Sequence, residues 1–235
     1  MKVINNILGF DGMKIVQDTD GFKFSLDSVL LANFVTLNKR INNVMDIGCG
    51  NGIISILLSM RTNAKIIGVE IQNESYLNSL ESIKINNLNS QITVYNEDIK
   101  KFYKSLESDS FDVVVCNPPY FSGDNVSKTI SKKIARHSFY LDYNDVILIS
   151  KKILKNNGIV AIVHRPENLM EILFTMRKNN IEPKKIRFVY PYKGKNANIL
   201  LVEGMKNGKP GLKIMDPLYV YENCEYTEEI KNYFS

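Results

Sequence analysis

The stretch VMDIGCGNGIISILLSM, residues 44 to 60, decides the fold. Val44 to Ile47 reads as a strand and the apolar run from Ile53 to Met60 as a helix, with glycine at positions 48, 50 and 52 between them. Glycine at alternate positions of such a turn lets a ligand touch the backbone, because no Cβ intervenes. A dinucleotide fingerprint starting at Gly48 requires glycine at position 53, where Ile53 stands. The third glycine comes one residue early. That departs from pyrophosphate binding and suits a ligand that approaches the backbone without a phosphate anchor.

Working outward, KIIGVE from Lys65 reads as a second strand with Glu70 at its carboxyl end. A helix is expected from about Gln72 to Asn86, with Leu77, Leu80, Ile83 and Lys84 at helical spacing, and QITVYNED supplies a third strand ending before Asp98. FDVVVC, Phe111 to Cys116, is a continuous apolar run of the kind buried on both faces, and it stops at Asn117-Pro118-Pro119-Tyr120. Beyond it come a helix from Tyr143 to Leu154 capped by an Asn157-Gly158 turn, the strand GIVAIVH, and the helix PENLMEILFTMRKNN with proline in its first turn. KKIRFVYP and ANILLVEG, joined by Lys193-Gly194-Lys195-Asn196, read as an edge hairpin. This alternation predicts an α/β fold with a parallel sheet covered by helices. Before Val44, KIVQDTDGFKF reads as a hairpin about Asp20-Gly21 and SLDSVLLANFV as a helix capped by Ser25. Residues 1–43 are expected to cover the body formed by residues 44–235, as part of the same domain.

The chain has 235 residues, 44% hydrophobic and 23% charged, with a net charge of +5. That length supports one large core. No apolar run approaches the roughly 18–20 residues of a membrane span, and the first residues lack a signal-peptide pattern, so a cytoplasmic protein is expected. Cys49, Cys116 and Cys224 form no CxxC pair and the only histidines are His137 and His164, which excludes a disulfide framework and argues against any metal site.

Glu70 stands where α/β nucleoside sites place a carboxylate for both ribose hydroxyls, and Asp98 follows the third strand in the matching position, able to accept from an adenine amine. The two prolines after Asn117 remove two N–H donors and leave carbonyls to accept from something else. An exocyclic adenine amine is a poor nucleophile because its lone pair is delocalised into the ring. Accepting its N–H groups on the Asn117 side-chain oxygen and the Pro118 carbonyl favours a more tetrahedral nitrogen aimed at an electrophile. Tyr120 offers a stacking face.

DIGCGNG, Glu70, Asp98 and NPPY together resemble the motifs of class I methyltransferases that use S-adenosylmethionine and modify amino nitrogens. The likeness extends to IVQDTDGFKFSLDSVLLANF, GVEIQNES, CNPPYF, Ala135-Arg136-His137, KKIRFVYPYKGKNANILLVEG, KPGLKIMDPLYVY and EYTEEIKNYF, which resemble the bacterial valine tRNA adenine-37 N6-methyltransferase family. The resemblance implies a Rossmann-like three-layer sandwich with a seven-stranded, mostly parallel sheet under an N-terminal hairpin and helix. It also implies that the segment Asp46, Gly48, Cys49, Gly50, Asn51 and Gly52 lines the methionine part of S-adenosylmethionine. Glu70 with Ile71 would hold the ribose, Asp98 and Ile99 the adenine, and Phe24 and Asp27 would cover the cofactor. Asn117, Pro118, Pro119 and Tyr120 would take a target adenine flipped from its loop, with Asn117 also facing the cofactor.

Basic residues mixed with aromatics suit a phosphate backbone with exposed bases. Lys184, Lys185, Arg187, Lys193 and Lys195 are interleaved with Phe188, Tyr190 and Tyr192, and Lys128, Lys132, Lys133 and Arg136 follow NPPY directly. Both segments are expected to contact a tRNA substrate. Three other readings compete: a protein glutamine N5-methyltransferase using the same NPPY chemistry, an oxidoreductase using NAD, and a non-catalytic RNA-binding module. The first would normally carry a substrate-binding domain ahead of the core, the second is disfavoured by Ile53, and the third leaves NPPY without purpose.

Overall fold

The computed structural model describes residues 2–7, 12–18, 26–119 and 141–234. In chain order the elements are β1 (Lys2–Asn6), β2 (Lys14–Asp18), α1 (Leu26–Phe34), β3 (Asn43–Ile47), α2 (Ile53–Ser59), β4 (Lys65–Val69) and α3 (Asn73–Ile85). Next are β5 (Ile92–Tyr95), α4 (Ile99–Phe102), β6 (Phe111–Cys116), α5 (Tyr143–Ile153), β7 (Leu154–His164), a single 3-10 turn (Pro166–Asn168), α6 (Leu169–Lys178), β8 (Ile181–Tyr190) and β9 (Ile199–Lys206). Short pieces close the chain: β10 (Lys213–Ile214), β11 (Leu218–Tyr219), β12 (Tyr221–Glu222), β13 (Glu225–Tyr226) and α7 (Glu228–Asn232).

The central sheet has the order β10-β8-β9-β7-β6-β3-β4-β5, with β11 also pairing on β8. β9 is antiparallel to both of its neighbours and every other pairing in the sheet is parallel. Seven of its strands are the expected set; β10 and β11 extend the β8 edge by two residues each. Side chains alternate between two cores as period-2 geometry requires. Val113 and Val115 of β6 pack with α1 and α2, whereas Val114 and Cys116 pack with α5 and α6. The result is three layers, helix on sheet on helix. Ile7, Ile15 and the apolar face of α1 lie in the same core as Val44 and Val113, so the N-terminal segment packs directly on the sheet's helical layer.

One pairing is added to the expected set and two local expectations change. KIVQD pairs with Lys2–Asn6 in an antiparallel hairpin closed by Ile7 N–H to the Met13 carbonyl at 2.9 Å, while Asp20-Gly21 and Ser25 lie outside the described residues. α3 buries Asn78, Ser79, Ser82 and Ile83, and exposes Leu77 and Leu80. The reason is what covers it: Val16 N–H donates to Ser82 Oγ at 3.0 Å, and a Cβ on Gly52 would lie 3.4 Å from Ser79 Cβ, so that face must be small. Asn157-Gly158 caps no helix. β7 starts at Leu154, directly after α5, and Asn157 at φ 63° makes an irregularity inside the strand where the pairing with β6 shifts register.

Strand order reverses between β3 and β6: β4 and β5 lie on one side, β7 on the other. Ligands of open α/β sheets bind outside the carboxyl ends of strands at such a switch. Ile47 and Cys116 end those two strands side by side, so the glycine turn and Asn117 leave the sheet together.

Candidate functional site

Gly48, Gly50 and Gly52 have φ of 67°, 57° and 87°, all in the left-handed region, which explains why glycine recurs at alternate positions. Among the described residues a Cβ on Gly50 would meet nothing within 4 Å, and one on Gly48 only Leu141, at 3.8 Å. Among the described residues the turn is an open cradle on that side. It is braced from behind, since a Cβ on Gly68 of β4 would fall 2.8 Å from Cys49 Sγ.

Two polar side chains at the end of β3 and in this turn are buried without full partners among the described residues. Asp46 is fully buried; Oδ2 accepts from Ser55 N–H at 3.1 Å and Ser55 Oγ at 2.7 Å, while Oδ1 has no partner among the described residues. Burial pushes its pKa up to about 7 against the bonds from Ser55. Asn51 is 4% exposed and neither end of its amide is paired among the described residues. Orphaned buried groups cost roughly 1–3 kcal/mol each. A polar ligand seated in the cradle relieves that cost.

Glu70 is 5% exposed, just past β4. Oε2 accepts from Gly50 N–H at 2.9 Å and Oε1 from Gln72 N–H at 2.8 Å, with burial still raising its pKa. The Ile71 backbone also bonds this carboxylate, and with about four lone-pair sites it keeps acceptor capacity for an incoming donor. A vicinal diol supplies such donors. Asn96 Nδ2 donates to the Glu70 carbonyl at 2.9 Å and ties the β5–α4 turn beside it. There Asp98 caps α4, accepting from Lys100 N–H at 2.9 Å on one oxygen, while Ile99 is buried behind it and Ile71 stays half exposed.

Asn117 sits across the switch point. Its Nδ2 donates to Ser28 Oγ at 3.1 Å, and Ser28 is 3% exposed on α1, so a helix from the N-terminal segment holds the amide in place. Pro118 is buried and Pro119 exposed; Asp27 is half-buried in the first turn of α1. Phe24, Tyr120, Lys128, Lys132, Lys133 and Arg136 lie outside the described residues. Burial pushes the Cys49 and Cys116 thiols well up, which keeps both from serving as thiolate nucleophiles. His164, at the end of β7, accepts on Nδ1 from Arg165 N–H at 2.8 Å and meets Tyr143 edge-on.

The basic segment does not act as one patch. Arg187 is 7% exposed and bonds Glu229 with two nitrogens at 2.6 and 2.9 Å, the Asp216 carbonyl at 2.9 Å and Tyr233 at 2.8 Å. Lys185 donates to the Phe34 carbonyl and Thr36 Oγ1 and pairs with Glu203 at 3.1 Å. Both expected phosphate contacts are therefore corrected to structural ties, one holding α7 and the other the α1–β3 connection. Lys184 reaches the Lys209 carbonyl at 3.1 Å. Lys193 and Lys195 are exposed on the β8–β9 turn. Sequence reading missed Ser28 and Ser55, whose only signal is a polar residue inside an apolar helical run, and Arg165, which follows a strand with no motif.

The family model for the methyltransferase small domain matches residues 24–179. The chain belongs to that family. Among its relatives, the tRNA1(Val) (adenine(37)-N6)-methyltransferase of Flavobacterium psychrophilum is 27% identical over 158 residues, 67% of each chain. That of Parabacteroides distasonis is 26% identical over 85% of this chain and 83% of its own, and that of Trichodesmium erythraeum 29% identical over 76% and 78%. Among solved structures, a predicted O-methyltransferase from Agrobacterium tumefaciens superposes with a TM-score of 0.70 at 21% identity, covering 89% of this chain and 97% of its own. Geranyl diphosphate C-methyltransferase from Streptomyces coelicolor, bound to S-adenosyl-L-homocysteine, gives 0.56 at 11% identity over 76% of each chain. These last two share the class I methyltransferase fold. No helix among the described residues is long and apolar enough to cross a membrane.

Proposed function

We propose that this methyltransferase uses S-adenosylmethionine to methylate the N6 amine of an adenosine in tRNA, at position 37 of a valine tRNA as its relatives' names specify. The observation that carries the reading is Asn117, fixed by Ser28 at the end of β6 and one strand from the open glycine cradle. Bound cofactor supplies an electrophilic methyl group on a positively charged sulfur. Gly48, Cys49, Gly50, Asn51 and Gly52 would line its methionine part, the Glu70 carboxylate would accept from the ribose hydroxyls, and Asp98 with Ile99 and Ile71 would receive the adenine. Phe24 and Asp27 would be its contacts from the N-terminal segment.

On the substrate side, Asn117 Oδ1 and the Pro118 carbonyl accept the two N–H bonds of the target amine. That turns its lone pair out of conjugation and toward the methyl group. Pro119 keeps the loop rigid and Tyr120 stacks on the base. The amine proton becomes acidic as the new bond forms and passes to solvent, so no strong base is required. A tRNA substrate places the enzyme in the cytoplasm.

The test incubates the full chain with methyl-labelled cofactor and either unmodified total tRNA or a protein with an exposed glutamine, followed by nucleoside and amino-acid analysis. Label in N6-methyladenosine is expected; label in glutamine with none in RNA overturns the reading. Glu70→Ala should weaken cofactor binding by about 1.5–3 kcal/mol, the range for hydrogen bonds to a charged group. Unchanged affinity by calorimetry would remove Glu70 from the ribose site.

A further inference from the structure

We infer that the sheet edge at the carboxyl ends of β7 and β8 carries a stacking platform for the single-stranded RNA beside the target adenosine, with Tyr192 as its contact ring and Arg165, Lys193 and Lys195 as its phosphate partners. The inference rests on the tRNA reading and says where that substrate lies.

β6, β7 and β8 run parallel with β9 antiparallel between the last two, so Asn117, Arg165 and Tyr192 all leave the sheet at the same edge. Three strand spacings, about 14 Å, separate β6 from β8. Arg165 lies between them, exposed at the end of β7, with Nη1 donating to the Asn198 carbonyl at 2.8 Å. Lys193 and Lys195 follow Tyr192 in the exposed turn.

The platform is built by the C-terminal segment. β11 runs parallel to β8 with Tyr219 opposite Tyr190, which brings Tyr221 beside Tyr192. The Tyr192 ring lies 5.3 Å from that of Tyr221 at 30°; Tyr221 stacks on Tyr226 at 5.1 Å and 14°; Tyr226 meets Phe234 at 5.7 Å. Tyr192 ends this column and is 41% exposed. A ring already ordered by its neighbours loses little further entropy when a base stacks on it. Arginine and lysine beside an aromatic face are the groups that grip a phosphate backbone while bases stack. Acidic residues set the direction of the strand. Glu222, Glu225 and Glu228 lie exposed on the β12–β13 hairpin and the start of α7, and Lys231 pairs with Glu225 at 3.6 Å and Glu228 at 2.8 Å. Glu167 lies on the 3-10 turn after Arg165. The RNA therefore runs from Asn117 over Arg165 to Tyr192 and stops short of the β12–β13 hairpin.

The chain contains no tryptophan, so Tyr192→Trp installs a single reporter. Its emission should be quenched by unmodified tRNA and by a single-stranded RNA with the loop sequence, and much less by a blunt RNA duplex. Tyr192→Ala should weaken binding of labelled tRNA by roughly tenfold or more, the equivalent of one stacked base, with calorimetric cofactor affinity unchanged. Tyr192→Phe should restore most of the loss. Arg165→Ala should instead shallow the salt dependence by about one unit. Reporter emission that stays constant while anisotropy shows tRNA saturating the protein, or tRNA affinity unaltered in Tyr192→Ala, overturns the platform and leaves the tRNA reading intact. Wild-type protein that binds no tRNA and labels only protein overturns both.

Discussion

The carboxyl ends of β3 and β4 and the carboxyl end of β8 lie on one edge of one sheet, yet they are held in opposite ways. At β3 and β4 the chain holds itself locally: three left-handed glycines shape the turn, and Glu70 accepts from Gly50 and Gln72, 20 and 2 residues away. At β8 the positions are set from afar, Arg187 by Asp216 and Glu229, and Tyr192 by Tyr221. A site held by backbone conformation is written in residue spacing. A site held by distant side chains is written only as composition, and identical lysines and arginines there can be fastened inside or face solvent.

If the glycine-turn region is as self-contained as its bonds indicate, its largest response should come from its own buried acid. Asp46 titrates near 7 in the fold against an ordinary 3.8, so between these values the folded state holds the extra proton. Its contribution to stability is complete below about pH 4 and is lost as pH rises through 7, a total on the order of 4 kcal/mol. Asp46→Asn keeps a carbonyl for Ser55 and cannot ionise, so denaturation midpoints followed from about pH 4 to 8 should show a flatter profile than wild type. Parallel profiles would show that Asp46 is not the titrating group. Asn117→Ala comes next, with transfer slowed by about 10²–10³ and cofactor affinity kept, because the lost contact acts on the amine in the transition state. Single-turnover rates within a few-fold of wild type would reduce NPPY to a structural loop.

The same division governs what could be read from the sequence. β3, β4, β5 and β6 and the switch point follow from apolar runs and turn residues that need no partner to interpret. The buried face of α3 was illegible because Leu77 and Leu80 look like core at helical spacing, and only the packing of β2 and of Gly52 demands serines there. The β1–β2 pairing was illegible because Lys2–Asn6 has no apolar face to read, four of its five residues being exposed. In the candidate site, Glu70 and Asn117 stand at strand ends and announce themselves. Ser28 does not, since its partner is 89 residues away.

Arg187 sharpens the contrast from the other side. Arg187→Ala removes charge-assisted bonds to Glu229 and a bond to the Asp216 carbonyl, and should destabilise the fold by about 2–3 kcal/mol, less than a fully buried pair because Glu229 is half exposed. The salt dependence of tRNA binding should match wild type. A shallower slope with an unchanged denaturation midpoint would return Arg187 to the phosphate-contacting set and erase the distinction drawn between it and Lys193.

The smallest effect tests the one bond that joins the two modes, a distant side chain acting on a locally legible residue. Ser28→Ala leaves Asn117 Nδ2 without the Ser28 oxygen, so the amide loses a contact that holds its oxygen toward the substrate; about 1 kcal/mol, or roughly a fivefold drop in kcat with little change in cofactor affinity, is expected. A packing defect in α1 would lower stability in the same way whether or not Asn117 is present. The double variant separates the two. If Ser28 works by orienting Asn117, then Ser28→Ala placed on Asn117→Ala should slow transfer no further, a coupling equal to the whole single-variant effect. If the two rate losses multiply, Ser28 supports the helix alone, and Asn117 is oriented by its own loop.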